Sequence, residues 1–356
     1  MNVPLLTQAP VVRCPSHAGR IATHMRSGVV LAATFLLTEV LAAGSLSMSH
    51  YDVAATVDAT RSSLSAVVTI TVPVSDVQPE TAFILGGTYL ISSADAGPGA
   101  AVEVAPTDKP FPGLQKITVR PKGPNRGDLQ LRMRYAGLLA PSGEPPLNLI
   151  TPDLVELNLD SLWIPARNGF TTKFTVSAEI RGVPANLVVV APGTVRRLGE
   201  RLLIRRDKGD IDLAFVAMRG LQRKSTDGFE FYAADGSAEL SSVYRYHGPA
   251  AMKFLESWFG RMPGRPARVV MVRRPRMSGY ARPGYVVVTE AGAVAGSGSA
   301  KFIAHELAHA WWSSGDPTTE HRWLSESIAE YVALRYVEAA FGVNARDEML
   351  PACALR

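Results

Sequence analysis

His305-Glu306-Leu307-Ala308-His309, with Trp311-Trp312 behind it and Trp323-Leu324-Ser325-Glu326-Ser327-Ile328-Ala329-Glu330-Tyr331 further on, tells more about this 356-residue chain than any other segment. Apolar periodicity predicts one helix over about 299–313 and a second over about 323–341. Residues four apart share a helix face, so the imidazoles of His305 and His309 can reach one ion while Glu306 projects beside them as a candidate base. The plainer alternative is a helix bearing two solvated or hydrogen-bonded histidines. Only seven histidines occur in the whole chain, which makes this pairing uncommon by chance. A catalytic zinc takes three protein ligands and keeps one position open, so a third donor is needed. A third histidine six residues after the second, one known solution, is excluded because Gly315 stands there. His321 lies in the polar connection 316–322, where a histidine is more often merely solvated. Glu326 and Glu330 are spaced by four and share a face of the second helix. Packed antiparallel to the first, that helix brings one of them to the ion and the other behind it.

Upstream, a helix is expected over about 237–259, with Gly248 and Pro249 as a possible break. Strands of buried type follow at 267–272 and 285–289. The earlier part of the chain alternates with period two: Tyr51, Val53 and Ala55, then Leu64, Ala66, Val68 and Ile70. Similar segments run near 81–91, 115–120, 129–135, 174–180, 187–190 and 211–217, separated by Gly- and Pro-rich stretches at 96–100 and 121–127. The expected organisation is a leader at 1–47, an all-β domain of sandwich or saddle type at 48–222, and a catalytic domain at 223–356. The fold class is α+β.

Hydrophobic residues make up 47% and charged residues 19%, which supports ordinary globular cores and excludes wholesale disorder. Against 32 acidic residues stand 37 basic ones, for a formal +5 and a pI near 9.2. The arginines Arg196, Arg197, Arg201, Arg205 and Arg206 have no aromatic platform among them, so they read as a solvated face and nucleic acid is not an expected partner. Cys14 and Cys353 are the only cysteines, which rules out a disulfide framework. From Met25, an alternative start, Arg26 precedes an apolar run at 29–41 and the small residues Ala42, Ala43 and Gly44, the layout of a secretory signal cleaved after Gly44. Export is the leading expectation; a retained membrane anchor and a cytoplasmic protein are the alternatives.

The block from His305 to Tyr331 resembles the signature of the aminopeptidase N family of gluzincins. In that family the third zinc ligand is the Glu of a W-L-N-E-G-F-A-E-Y type block, which falls on Glu326. Glu330 matches the acid four positions later that hydrogen-bonds a zinc histidine. The resemblance implies one Zn2+ ion, a peptide or protein substrate, and a β saddle ahead of a thermolysin-like domain. It also implies Glu306 as the base in hydrolysis of peptide bonds by water that the metal activates.

Three departures bear on activity. Sixteen residues, 310 to 325, separate His309 from Glu326, two fewer than the family's usual eighteen. The family's G-A-M-E-N type loop, whose Glu holds a substrate's free amine, has its nearest match in Ser278-Gly279-Tyr280-Ala281-Arg282-Pro283-Gly284, with Ala281 in place of that Glu. Tyr280 and Ala281 are then the candidate substrate contacts, and an endopeptidase becomes as reasonable as an aminopeptidase. The family also places an oxyanion tyrosine and further helices well downstream of the third ligand, whereas Arg356 lies thirty residues beyond Glu326. The sequence therefore also admits an incomplete chain, or a zinc-binding but weakly active homologue with a scaffold role.

Overall fold

The computed structural model describes residues 48–107, 113–123, 127–139, 147–167, 170, 172–274, 278–293, 296–312 and 322–350. The expected leader, Gly315, His321 and Cys353 lie outside them. Three antiparallel or mixed sheets precede the helical part. The largest has seven strands, in the order Thr194–Leu198, Arg201–Asp210, Phe174–Arg181, Ser49–Asp58, Ser63–Val72, Leu129–Leu138 and Tyr89–Asp95. Only the pairing of Ser49–Asp58 with Phe174–Arg181 is parallel in it. Along Ser49–Asp58 the residues Tyr51, Val53, Ala55 and Val57 are buried while Asp52, Ala54 and Thr56 are exposed, so one face is solvated. The buried face shares a core with Phe83, Leu85, Ile117 and Val119 of one four-stranded sheet and with Val155, Leu157, Phe215 and Ala217 of another. This is the layered β architecture that the alternation implied.

Two strand expectations are corrected. The segment expected as one strand at 81–91 is two, Thr81–Gly86 and Tyr89–Asp95, in different sheets. The break falls at Gly87, where an added Cβ would lie 1.8 Å from the Gly113 carbonyl oxygen, so the chain turns where only glycine fits. The strand expected at 211–217 begins only at Phe215, while Arg201–Asp210 forms a ten-residue strand that was not expected. Its outward charges hid the inward Leu202 and Ile204. Arg206 is also corrected: it is buried against Asp210 rather than solvated.

The α+β part is built on a five-stranded sheet in the order Leu221–Thr226, Phe229–Ala234, Ala267–Val272, Tyr285–Thr289 and Gly279–Arg282. The three inner strands are parallel, and the edge strand Gly279–Arg282 runs antiparallel to Tyr285–Thr289. The strand Leu221–Thr226 spans the boundary expected at 222/223. Helices α1 (Ala238–Phe259), α2 (Ser297–Ala308), α3 (Arg322–Phe341) and the short α4 (Val343–Asp347) complete the chain's described part. Helix α1 runs unbroken through Gly248 and Pro249, contrary to the expected break. Gly248 lets the Phe229 ring approach to where a Cβ would stand 2.2 Å away. Among the described residues no helix is long and apolar enough to cross a membrane.

Two ion pairs tie the β part to the five-stranded sheet. Glu156, fully buried, meets Arg274, and Arg282 donates from Nε (2.9 Å) and Nη2 (2.8 Å) to Asp212 Oδ2. Burial pushes Glu156 up to about 7 even with Arg274 pulling it down. Removing one partner of a buried pair leaves the other charge uncompensated, so Arg274→Met is expected to destabilise the fold by about 3–5 kcal/mol. Urea unfolding checks this; a loss below about 1 kcal/mol would show that the pair contributes little.

Candidate metal centre

Helix α2 presents Ala300, Ala304 and Ala308, and α3 presents Ala329 and Ala333, all buried in one core with Ile303, Leu307 and Val332. Small side chains let the two helices approach closely, which brings carboxylates of α3 within reach of imidazoles on α2. Ser325 Oγ donates to the Trp312 carbonyl and fastens the start of α3 to the end of α2. Trp311 and Trp312 pack on Phe259 against the core, with Trp312 edge-on at 4.4 Å between ring centroids. The Trp323 side chain lies outside the described residues.

His305 sits in the last turn of α2 and His309 caps it. His305 Nε2 lies 3.3 Å from His309 Nε2 and 3.3 Å from Glu326 Oε2, and His309 Nε2 lies 3.8 Å from the same oxygen. Donors at about 2.0–2.1 Å from a tetrahedral zinc stand about 3.3 Å apart, so this triangle fits one zinc ion with little adjustment. His305, His309 and Glu326 are the group of His, Cys, Asp and Glu side chains that can hold a metal among the described residues. On the other side of the His305 ring, Nδ1 is 3.2 Å from Glu330 Oε2. A proton on Nδ1 donated to that carboxylate leaves Nε2 as the donor toward the ion. The second helix thus offers its two acids to different tasks, Glu326 to the donor triangle and Glu330 to the imidazole behind it.

The electrostatics separate the groups. Burial depresses His305, but hydrogen bonds to Glu326 and Glu330 outweigh it and hold the ring up to about 9. Burial and the neighbouring His305 charge push His309 down to about 4. Burial pushes Glu306 up to about 7, opposed by His305 and helped by Glu326. Glu306 is only 6% exposed, whereas the Glu326 side chain is 52% exposed, so the centre opens on the Glu326 side.

Of the candidate substrate residues, Ala281 is on the sheet face that packs against α2, within the same core cluster. Tyr280 is not: strand alternation turns its ring to the opposite face, where it is buried with Tyr285 and Leu154. It therefore does not face the donor triangle.

Two residues escaped the sequence reading as parts of the centre. Lys301, one turn before His305, contacts Glu330 Oε1. Gly279 of the edge strand makes room for the base: a Cβ there would stand 2.8 Å from Glu306 Oε1, 2.8 Å from the Val287 carbonyl oxygen and 2.9 Å from the Phe302 ring. The carbonyl belongs to a paired neighbouring strand and cannot give way. Gly279→Ala is therefore expected to cost about 1–3 kcal/mol and to displace Glu306. Thermal unfolding and the pH profile of any hydrolysis check it, and a variant matching the wild type in both would show the space to be slack.

No protein-family model matches the chain, and no curated protein matches it by sequence. Solved structures do. Leukotriene A4 hydrolase from Saccharomyces cerevisiae superposes with a TM-score of 0.61 at 15% identity, over 83% of this chain and 49% of that one. A mutant M1 zinc metallopeptidase from Deinococcus radiodurans gives 0.62 at 21% identity, over 86% of this chain and 73% of that one. The same Deinococcus protein, solved with a Tyr-Ser-Ala substrate, gives 0.62 at 20%. The chain spans about half the length of the yeast hydrolase. Its fold is α+β and matches the two-domain fold of the M1 zinc metallopeptidase.

Proposed function

We propose that the chain is a zinc-dependent metallopeptidase in which His305, His309 and Glu326 hold the ion, Glu306 is the general base, and Glu330 orients His305. The observation that carries this reading is the donor triangle, with edges of 3.3, 3.3 and 3.8 Å, beside a buried carboxylate. Zinc, when bound, supplies the Lewis acidity that polarises a substrate carbonyl and acidifies water. Glu306, raised to about 7, accepts the proton of the attacking water and passes it to the departing amine. Glu306 is buried, which shields that exchange from bulk water.

A peptide substrate is supported by the Deinococcus protein, solved with a Tyr-Ser-Ala substrate, and by a two-domain M1 zinc metallopeptidase solved with L-arginine. In the segment 278–284, no acid is available to hold a free amine, and the Arg282 cation is committed to Asp212. This segment therefore supplies no carboxylate that would select a free amino terminus, and blocked and free peptides are both candidate substrates. Hydrolysis of a mixed peptide library by the zinc-loaded chain tests the reading. Cleavage of amino-blocked peptides supports it, and cleavage of free peptides alone restores an aminopeptidase. Zinc binding with no cleavage favours a scaffold role instead. The proposal includes export, supported by the apolar run 29–41 and the small residues after it. An amino terminus of the secreted protein at Ser45 is the expected result, and an intact leader in a membrane fraction would favour an anchor.

A further inference from the structure

We propose that Lys301 is a positioning residue for the metal centre, fixing the Glu330 carboxylate so that its second oxygen holds the His305 ring with Nε2 turned to the ion. The inference rests on the zinc-site reading above and adds a layer to it.

Lys301 and His305 are four residues apart on α2, so both face α3. Glu330 of α3 divides its oxygens between them: Oε1 meets Lys301 Nζ, and Oε2 lies 3.2 Å from His305 Nδ1. The two contacts define the plane of one carboxylate. Turning Glu330 about its last torsion would break both contacts, whereas a carboxylate held by the imidazole alone could turn freely. Three acids, Glu306, Glu326 and Glu330, converge on two imidazoles here, and Lys301 places a cation against the one that is not a metal donor. The Lys301 and Glu330 side chains are 23% and 28% exposed, so the pair is shielded more than a surface ion pair.

An ion pair that only joined two helices would contribute at most about 1 kcal/mol and leave zinc affinity unchanged. A positioning role predicts something different, because the carboxylate that Lys301 holds is the one that orients a metal ligand. Outer partners of metal ligands commonly change affinity by about 10–100-fold.

The test is zinc titration of the full chain against a chromogenic chelator, with folding checked by circular dichroism. Lys301→Met is expected to raise the zinc Kd by about tenfold, and Lys301→Arg, which keeps a donor within reach of Glu330, to restore it to within about twofold. In a Glu330→Gln background, Lys301→Met is expected to add no further loss. A lower unfolding midpoint with an unchanged zinc Kd, or losses that add in the double variant, would overturn the inference and leave the zinc site standing. Failure of the wild-type chain to bind zinc would remove the site reading and this inference together.

Discussion

Glu306→Gln is expected to lower kcat/KM by about a hundredfold to ten-thousandfold while zinc content stays at the wild-type level. Gln matches Glu in shape, so the buried position keeps its packing and the three donors keep theirs. Proton acceptance alone is lost. Burial has already brought Glu306 up to about 7, so small changes in its surroundings move its ionisation across the working range. The base acts only when ionised, so the rate falls as pH drops through its pKa. A divalent charge beside Glu306 lowers that pKa, which puts the acid limb of the wild-type profile at or below about pH 7. The residual rate of the Gln variant should lack this limb. Metal analysis together with kcat/KM across pH 5 to 9 decides the matter, and a zinc-loaded Gln variant retaining most of the wild-type rate would remove Glu306 from its role.

What could be read in advance from the residues follows from what each feature needs. Two imidazoles four apart are a local pattern, visible without any knowledge of tertiary structure. The strands Ala267–Val272 and Tyr285–Thr289 were equally plain, because strands buried on both faces read as near-continuous apolar runs, here Val269–Val272 after Arg268 and Tyr285–Val288 before Thr289. Choosing between Glu326 and Glu330 was different. Both lie on one face of α3, and only the register of that helix against α2 assigns Oε2 of Glu326 to the imidazole nitrogens and Oε2 of Glu330 to the far side of His305. From the residues alone both acids stayed open, and only the resemblance placed the third ligand on Glu326. Gly279 and Lys301 were out of reach for the same reason, since each matters through a partner on another element: Glu306 of α2 for the glycine and Glu330 of α3 for the lysine. The strand Arg201–Asp210 was missed because alternation is counted in apolar residues, and its outward positions carry Arg201, Arg205 and Asp207.

Glu326→Ala is expected to weaken zinc binding more than Glu330→Gln does, by over about a hundredfold against about ten- to a hundredfold. The first removes one of three donors and the only anionic one; the second removes a support. A proton complicates the comparison and also sharpens it. With His305 held up to about 9, zinc must displace a proton from the ring at neutral pH, so the wild-type affinity should rise about tenfold per pH unit up to about pH 9 and then level off. Part of that elevation comes from the hydrogen bond to Glu326. Its loss lowers the His305 pKa, so the affinity of Glu326→Ala should level off at a lower pH than the wild type. The variant therefore binds zinc more weakly and with a flatter pH dependence between pH 7 and 9. Both features can be read from one set of chelator titrations. A Glu326→Ala chain that binds zinc as tightly as the wild type, with the same slope, would mean that another donor completes the site, and the donor triangle would lose its claim to the metal.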